Sequence, residues 1–129
     1  MNGVLVPDQG SAGGRLGPLE AEVLGVLWRS GRPMPVREVA GALNAGRGAP
    51  LAYTTVMTVM SRLARKGILA RSRSGRGYVY TPVAADTAEI AVRGVLEEFG
   101  DAALARFVER VELDAGLRGR LRSLMEQQP

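Results

Sequence analysis

The sequence predicts a mainly α-helical chain that carries one small β-hairpin, and three observations lead there. Apolar residues recur at helical spacing in three successive segments before residue 67. Two short β-capable runs, residues 68–73 and 78–82, then flank Ser74-Gly75-Arg76-Gly77, a turn with the glycines a hairpin uses. From Ala84 onward the apolar pattern is helical again.

The first helix is expected over residues 19–30. Leu19, Val23, Leu24 and Leu27 share one side, Pro18 suits a first turn, and Gly31 ends the segment. Trp28 continues that apolar stripe and is assigned to the core. A turn, RPMP, leads to a second helix over residues 36–43, with Val36, Val39, Ala40 and Leu43 inward. The loop NAGRGAP separates it from a third helix, about residues 52–66, which closes at Gly67. Three helices followed by a hairpin make the winged helix-turn-helix plan. Beyond it the spacing predicts helices at about residues 84–99 and 101–111, broken at Gly100, and a last one N-capped by Asp114. There is no internal repeat.

Composition narrows the chemistry. The chain has 129 residues, 46% of them apolar but only 5% aromatic, so Leu, Val, Ala and Met must build the core. It holds no Cys and no His, which removes disulfides, thiolate or imidazole metal sites and His-based catalysis. No catalytic residue, metal ligand or cofactor is expected, and the chain does not read as an enzyme. Lack of Cys suits a cytoplasmic protein. No apolar run approaches the ~20 residues of a membrane span, so no membrane insertion is expected. Residues 1–15 lack the pattern of a secretory signal and read as a flexible tail, in which Val4, Leu5 and Val6 can dock.

Charge is divided unevenly. Residues 1–83 hold 11 basic and 4 acidic side chains, net +7, whereas residues 84–129 hold 6 basic and 9 acidic, net −3. Between Glu38 and Asp86 no acid occurs, while seven Arg or Lys do. A polyanion is the natural partner of such a stretch, because each phosphate neutralised releases condensed counterions.

On the third helix Val56, Val59, Met60 and Leu63 form a core stripe. Thr54, Thr58, Ser61 and Arg65 point the other way, with Met57 and Arg62 on the shoulders. Short side chains with long donors at the edges suit a helix lying in the major groove of double-stranded DNA. Thr54, Met57 and Thr58 are placed to meet bases; Arg62, Arg65 and Lys66 are placed for phosphates. Tyr53 either bonds a phosphate or caps the core. Thr55 completes the set on this helix. Arg71, Arg73 and Arg76 cluster about the hairpin tip, beside the minor groove or an adjacent backbone strand. Tyr78 and Tyr80 alternate with Val79 and are expected to brace the wing, not to stack on bases.

The segments LGPLEAEVLGVLW, TTVMTVMSRLARKGIL and GRGYVYTPV resemble the penicillinase-repressor (BlaI/MecI) family of winged-helix repressors, from about Leu16 to the C-terminus. The resemblance implies a homodimer that binds a palindromic operator and represses transcription, with antibiotic-response genes among the targets. It implies DNA contacts from Thr54, Met57, Thr58 and Arg62, assisted by the wing arginines. Some relatives carry basic residues where Thr54 and Met57 stand, which implies a different, more methyl-rich operator here. Gly17 replaces the usual Ser or Thr, a weaker cap for the first helix. In antibiotic-responsive relatives a protease pathway cuts an Asn-Phe bond. The matching pair is Arg106-Phe107, a candidate cleavage bond that implies a regulatory protease as a partner. Copper-responsive members of the superfamily carry C-terminal Cys ligands, and this chain has none.

Three regions follow: a tail (1–15), a winged helix-turn-helix DNA-binding domain (16–83) and a helical dimerisation domain (84–129). In the last, apolar residues surround the helix over residues 84–99 instead of forming one stripe. Ile90, Val95, Leu96, Phe99, Leu104, Phe107, Val108 and Leu121 are the expected dimer contacts; a monomer folding them back on itself is the alternative. Two rival functions keep the fold: a regulator released from DNA by a small molecule, and a protein-interaction module with no DNA role.

Overall fold

The computed structural model describes residues 16–128; the expected tail, residues 1–15, lies outside them. The described chain runs α1 (Pro18–Ser30), α2 (Val36–Asn44), α3 (Tyr53–Arg65), β1 (Leu69–Ser74), β2 (Gly77–Pro82), α4 (Thr87–Phe99), α5 (Asp101–Leu113) and α6 (Ala115–Gln127). This is the helix, helix, helix, hairpin order that the sequence predicts, with further helices after it. Contacts divide it into two compact units, one up to Gly94 and one from Val95.

The first unit is built on the three stripes. Val23, Leu24 and Leu27 of α1, Val36, Val39, Ala40 and Leu43 of α2, and Val56, Val59, Met60 and Leu63 of α3 are buried together. Each fully buried Val or Leu contributes about 1.5–3 kcal/mol. Trp28 packs against this cluster, and its Nε1 donates to the Ala84 carbonyl oxygen at 3.0 Å.

Local chemistry fixes where α3 begins and ends. Asn44 closes the preceding loop: its Nδ2 donates to the Leu51 carbonyl at 3.1 Å and its Oδ1 accepts from the Leu51 N–H at 2.7 Å. Arg47 of the same loop pairs with Glu22 of α1 at 2.7 Å. At the other end Gly67 has φ +78°, and the N–H groups of Ile68 and Gly67 donate to the carbonyls of Leu63 and Ala64 at 2.9 and 3.1 Å. That pair of bonds is a Schellman motif, which needs a residue able to adopt the left-handed conformation.

The strands pair antiparallel with Ser74 opposite Gly77, so the turn is Gly75-Arg76 alone, shorter than the four residues expected. Gly75 has φ +63°, the positive φ that primed two-residue turns need at their first central position. A third partner escapes the sequence pattern. Met34, in the RPMP turn, forms a bridge with Tyr80 through two backbone bonds of 3.1 and 2.9 Å. It widens the hairpin by one residue of a neighbouring strand and roots it against the helices.

α4 begins at Thr87, three residues later than expected, because Asp86 Oδ1 accepts from the Glu89 N–H at 2.9 Å and caps it there. Its first half belongs to the first unit: Ile90 is buried in the core, and Arg93 Nη2 reaches the Gly67 carbonyl at 3.5 Å.

In the second unit Gly100 (φ +56°) interrupts the helix between α4 and α5, as expected, and Asp114 caps α6 by accepting from the Leu117 N–H at 3.0 Å. Neither α5 nor α6 contains a buried residue.

Candidate nucleic-acid interface

α3 and the hairpin present the residues singled out in the sequence. Tyr53, Thr54, Thr55, Met57 and Thr58 are exposed on the first half of α3; Ser61 and Arg62 are half-buried, and Arg65 is exposed again. Met57 is 39% exposed, an apolar side chain on an otherwise hydroxyl-bearing face. Tyr53 is 52% exposed, so it does not cap the core. Ala52 precedes α3 without a side-chain cap, and the Thr55 N–H of the first turn donates to the Ala52 carbonyl at 3.1 Å.

The seven cations of the acid-free span do not act alike. Arg47 is held by Glu22, as described. Lys66 departs from its expected place at a phosphate: its Nζ lies 3.0 Å from Glu20 Oε2, and its side chain is only 17% exposed. Glu20 is itself buried and offers the ammonium a nearer, desolvated counter-charge. Among the described residues Arg62, Arg65, Arg71, Arg73 and Arg76 form no salt bridge. Five guanidiniums therefore remain uncompensated on one helix and one hairpin.

Their arrangement follows from the register. Ser61, Ala64 and Arg65 of α3 and Leu69 and Arg71 of β1 line a groove between helix and wing, with an arginine on each wall. Arg73 lies opposite Tyr78, and Arg76 sits in the turn. The Arg71 guanidinium carbon is 4.3 Å from the centroid of the Tyr78 ring, and that of Arg73 is 5.5 Å from it. Tyr80 is buried in the core. Tyr80 thus anchors β2 in the core, whereas Tyr78 stays exposed beneath the two guanidiniums. No ionisable side chain within the acid-free span opposes an incoming anion.

Sequence reasoning missed Glu20, Asn44 and Met34, which position the surface without belonging to it. Glu20 was findable: a Glu three residues after a helix N-cap is half of a capping box, and its Oε1 accepts from the Gly17 N–H at 2.9 Å. That bond offsets the missing Ser or Thr at Gly17. The Asn44 and Met34 partners are distant in sequence and carried no comparable signal.

The expected dimer residues fall into two groups. Ile90 is corrected: it is buried in the core of the first unit, because α4 starts by packing there. Val95, Leu96, Phe99, Leu104, Phe107 and Val108 are exposed in the second unit, and Leu121 is half-buried. The Arg106-Phe107 bond lies inside α5, with Arg106 paired to Glu109 at 3.1 Å. Among the described residues no helix is long and apolar enough to cross a membrane, and no cluster of metal-ligating side chains occurs.

Fold and surface together define a winged-helix protein with a basic helix-and-wing face. The penicillinase repressor family model matches residues 16–127. Two curated relatives, both the transcriptional regulator BlaI of Mycobacterium tuberculosis, from the strains CDC 1551 / Oshkosh and ATCC 25618 / H37Rv, are 44% identical over 109 residues, which is 78% of this chain and 76% of theirs. A chain from the complex structure of hsRosR-S4 superposes with a TM-score of 0.50 at 17% identity, covering 88% of this chain and 90% of that one, a likeness of fold alone. The chain belongs to the penicillinase repressor family, whose members are regulators of transcription and not enzymes.

Proposed function

We propose that this protein is a cytoplasmic, dimeric, sequence-specific DNA-binding repressor that acts by occluding a palindromic operator. The carrying observation is the helix-and-wing face: hydroxyls and one thioether on α3, framed by five arginines without a salt bridge, and no carboxylate within the span. In this reading Tyr53, Thr54, Thr55, Met57 and Thr58 meet the DNA along the first half of α3, and a Met or Thr methyl suits a thymine methyl. Arg62, Arg65, Arg71, Arg73 and Arg76 neutralise phosphates, which sets register and affinity. Residues 16–83 read the DNA and residues 84–129 supply the pairing. Support for pairing comes from the apolar side chains that α4, α5 and α6 leave exposed, a load an isolated copy would carry in water. Two copies related by a two-fold axis match an inverted repeat. Relief by proteolysis at Arg106-Phe107 needs α5 to open first, because the bond lies within that helix.

Selection of bound duplexes from a random-sequence pool tests this reading. Enrichment of an inverted repeat with half-sites about one helical turn apart is the expected result. Binding without sequence preference, or none at moderate salt, rejects it. A single half-site with a monomeric protein in sedimentation rejects the dimer alone. Release of the selected duplex by a small molecule, with the chain uncut, would favour the ligand-responsive alternative.

A further inference from the structure

We infer that Tyr78 is a positioning residue of the wing, holding Arg71 and Arg73 together so that one stretch of phosphodiester backbone meets both guanidiniums at once. The inference rests on the DNA reading above and deepens it.

In an antiparallel pair, opposed residues share a face, and so does every second residue along each strand. Arg71 is opposite Tyr80 and Arg73 opposite Tyr78, so these four residues form one face of the hairpin. The face has a rooted end and a free end. Tyr80 is buried, and its N–H and carbonyl both bond to Met34. Tyr78, one step nearer the turn, is 39% exposed. Both guanidiniums gather on its ring, at 4.3 and 5.5 Å. Two like charges on one exposed ring repel each other, and among the described residues neither has a carboxylate within 4.0 Å. The negative face of the ring offsets part of that repulsion. An exposed apolar side chain of the same size would leave the arginines free to swing apart into water. A guanidinium already ordered loses less freedom on meeting a phosphate than a free one does.

The test uses the full chain with Tyr78→Phe, Tyr78→Leu and a double Arg71→Ala, Arg73→Ala variant, titrated with a fluorescent mixed-sequence duplex over a range of salt. Tyr78→Phe keeps the ring and should bind like the parent. Tyr78→Leu should bind roughly fivefold more weakly with an unchanged salt slope, because the same phosphates are neutralised at a higher ordering cost. The double variant should lower the slope by about two. In the free protein, ring-current shifts of the Arg71 side-chain protons should survive Tyr78→Phe and vanish in Tyr78→Leu. The inference is overturned if Tyr78→Leu binds like the parent, if its slope falls as far as the double variant's, or if the ring-current shifts are missing from the parent. A parent that shows the shifts but no salt-dependent DNA binding overturns the DNA reading and this role with it. Intact parent binding with an indifferent Tyr78→Leu overturns this role alone.

Discussion

The buried carboxylate of Glu20 joins the start of α1 to the end of α3. One oxygen accepts from the Gly17 N–H at 2.9 Å, and the other lies 3.0 Å from the Lys66 ammonium. Each oxygen of a desolvated anion thereby has a partner. The two helices cannot slide past one another without exposing an unpaired charge inside the protein. Lys66→Met should cost about 2–4 kcal/mol, since it strands the carboxylate in a site only 5% exposed. Glu20→Gln–Lys66→Met should cost less than the sum of the single changes. Urea titrations of the four proteins give the coupling, and strict additivity would remove the pair from the stability of the fold.

The same pair should set Lys66 apart from its neighbours in DNA binding. Arg62→Ala and Arg65→Ala should each weaken binding of the selected duplex about tenfold and lower the salt slope by about one. In Lys66→Met the slope should stay at the parent value even if stability falls. Anisotropy titrations at several salt concentrations distinguish the two behaviours.

Gly67 is constrained by backbone and not by space. Its φ of +78° is left-handed, and the nearest foreign atom to an added Cβ is a guanidinium nitrogen of Arg93 at 3.9 Å, an ordinary contact. Gly67→Ala should therefore destabilise by about 1–2 kcal/mol through conformation alone. Thermal unfolding reads the change, and a neutral result would mean that the Schellman turn adjusts freely.

Asn44 holds the loop that delivers α3. Asn44→Ala removes both bonds to Leu51, and the expected loss is about 1–3 kcal/mol. Faster hydrogen exchange at the Leu51 amide should accompany it. An unchanged exchange rate there would show that the loop holds its shape without the side chain.

Phe107 is 46% exposed on α5, with Leu104 and Val108 beside it also exposed. Phe107→Glu should turn a dimer into a monomer in sedimentation and reduce affinity for the inverted repeat at least tenfold, leaving the first unit folded. A dimer that survives Phe107→Glu would place the contact elsewhere.

Most of the winged helix was legible because its signals are local. The stripes of α1, α2 and α3 repeat within a few residues, Gly31, Gly67 and Gly100 mark helix ends, and Asp114 announces a cap. The candidate surface was legible in composition and helical phase, since the acid-free span and the Thr54–Thr58–Ser61–Arg65 face need no tertiary knowledge. Three readings needed correction or completion, and each involved a partner far along the chain. Lys66 looked like any surface cation until Glu20, 46 positions away, met it. Ile90 looked like its apolar neighbours on α4, yet it falls within the first core. Met34 sat in a proline-flanked turn and gave no strand signal, although it bridges to Tyr80.

The sequence by itself determined which segments are helical, where the hairpin turns and which side of α3 is polar, because periodicity, glycine conformation and charge are properties of neighbouring residues. Tertiary structure alone decided which of the basic residues of the acid-free span meet a carboxylate. Coulomb attraction and desolvation depend on distance in space, and only the folded chain brings Glu20 to Lys66, Glu22 to Arg47, and the Tyr78 ring under Arg71 and Arg73.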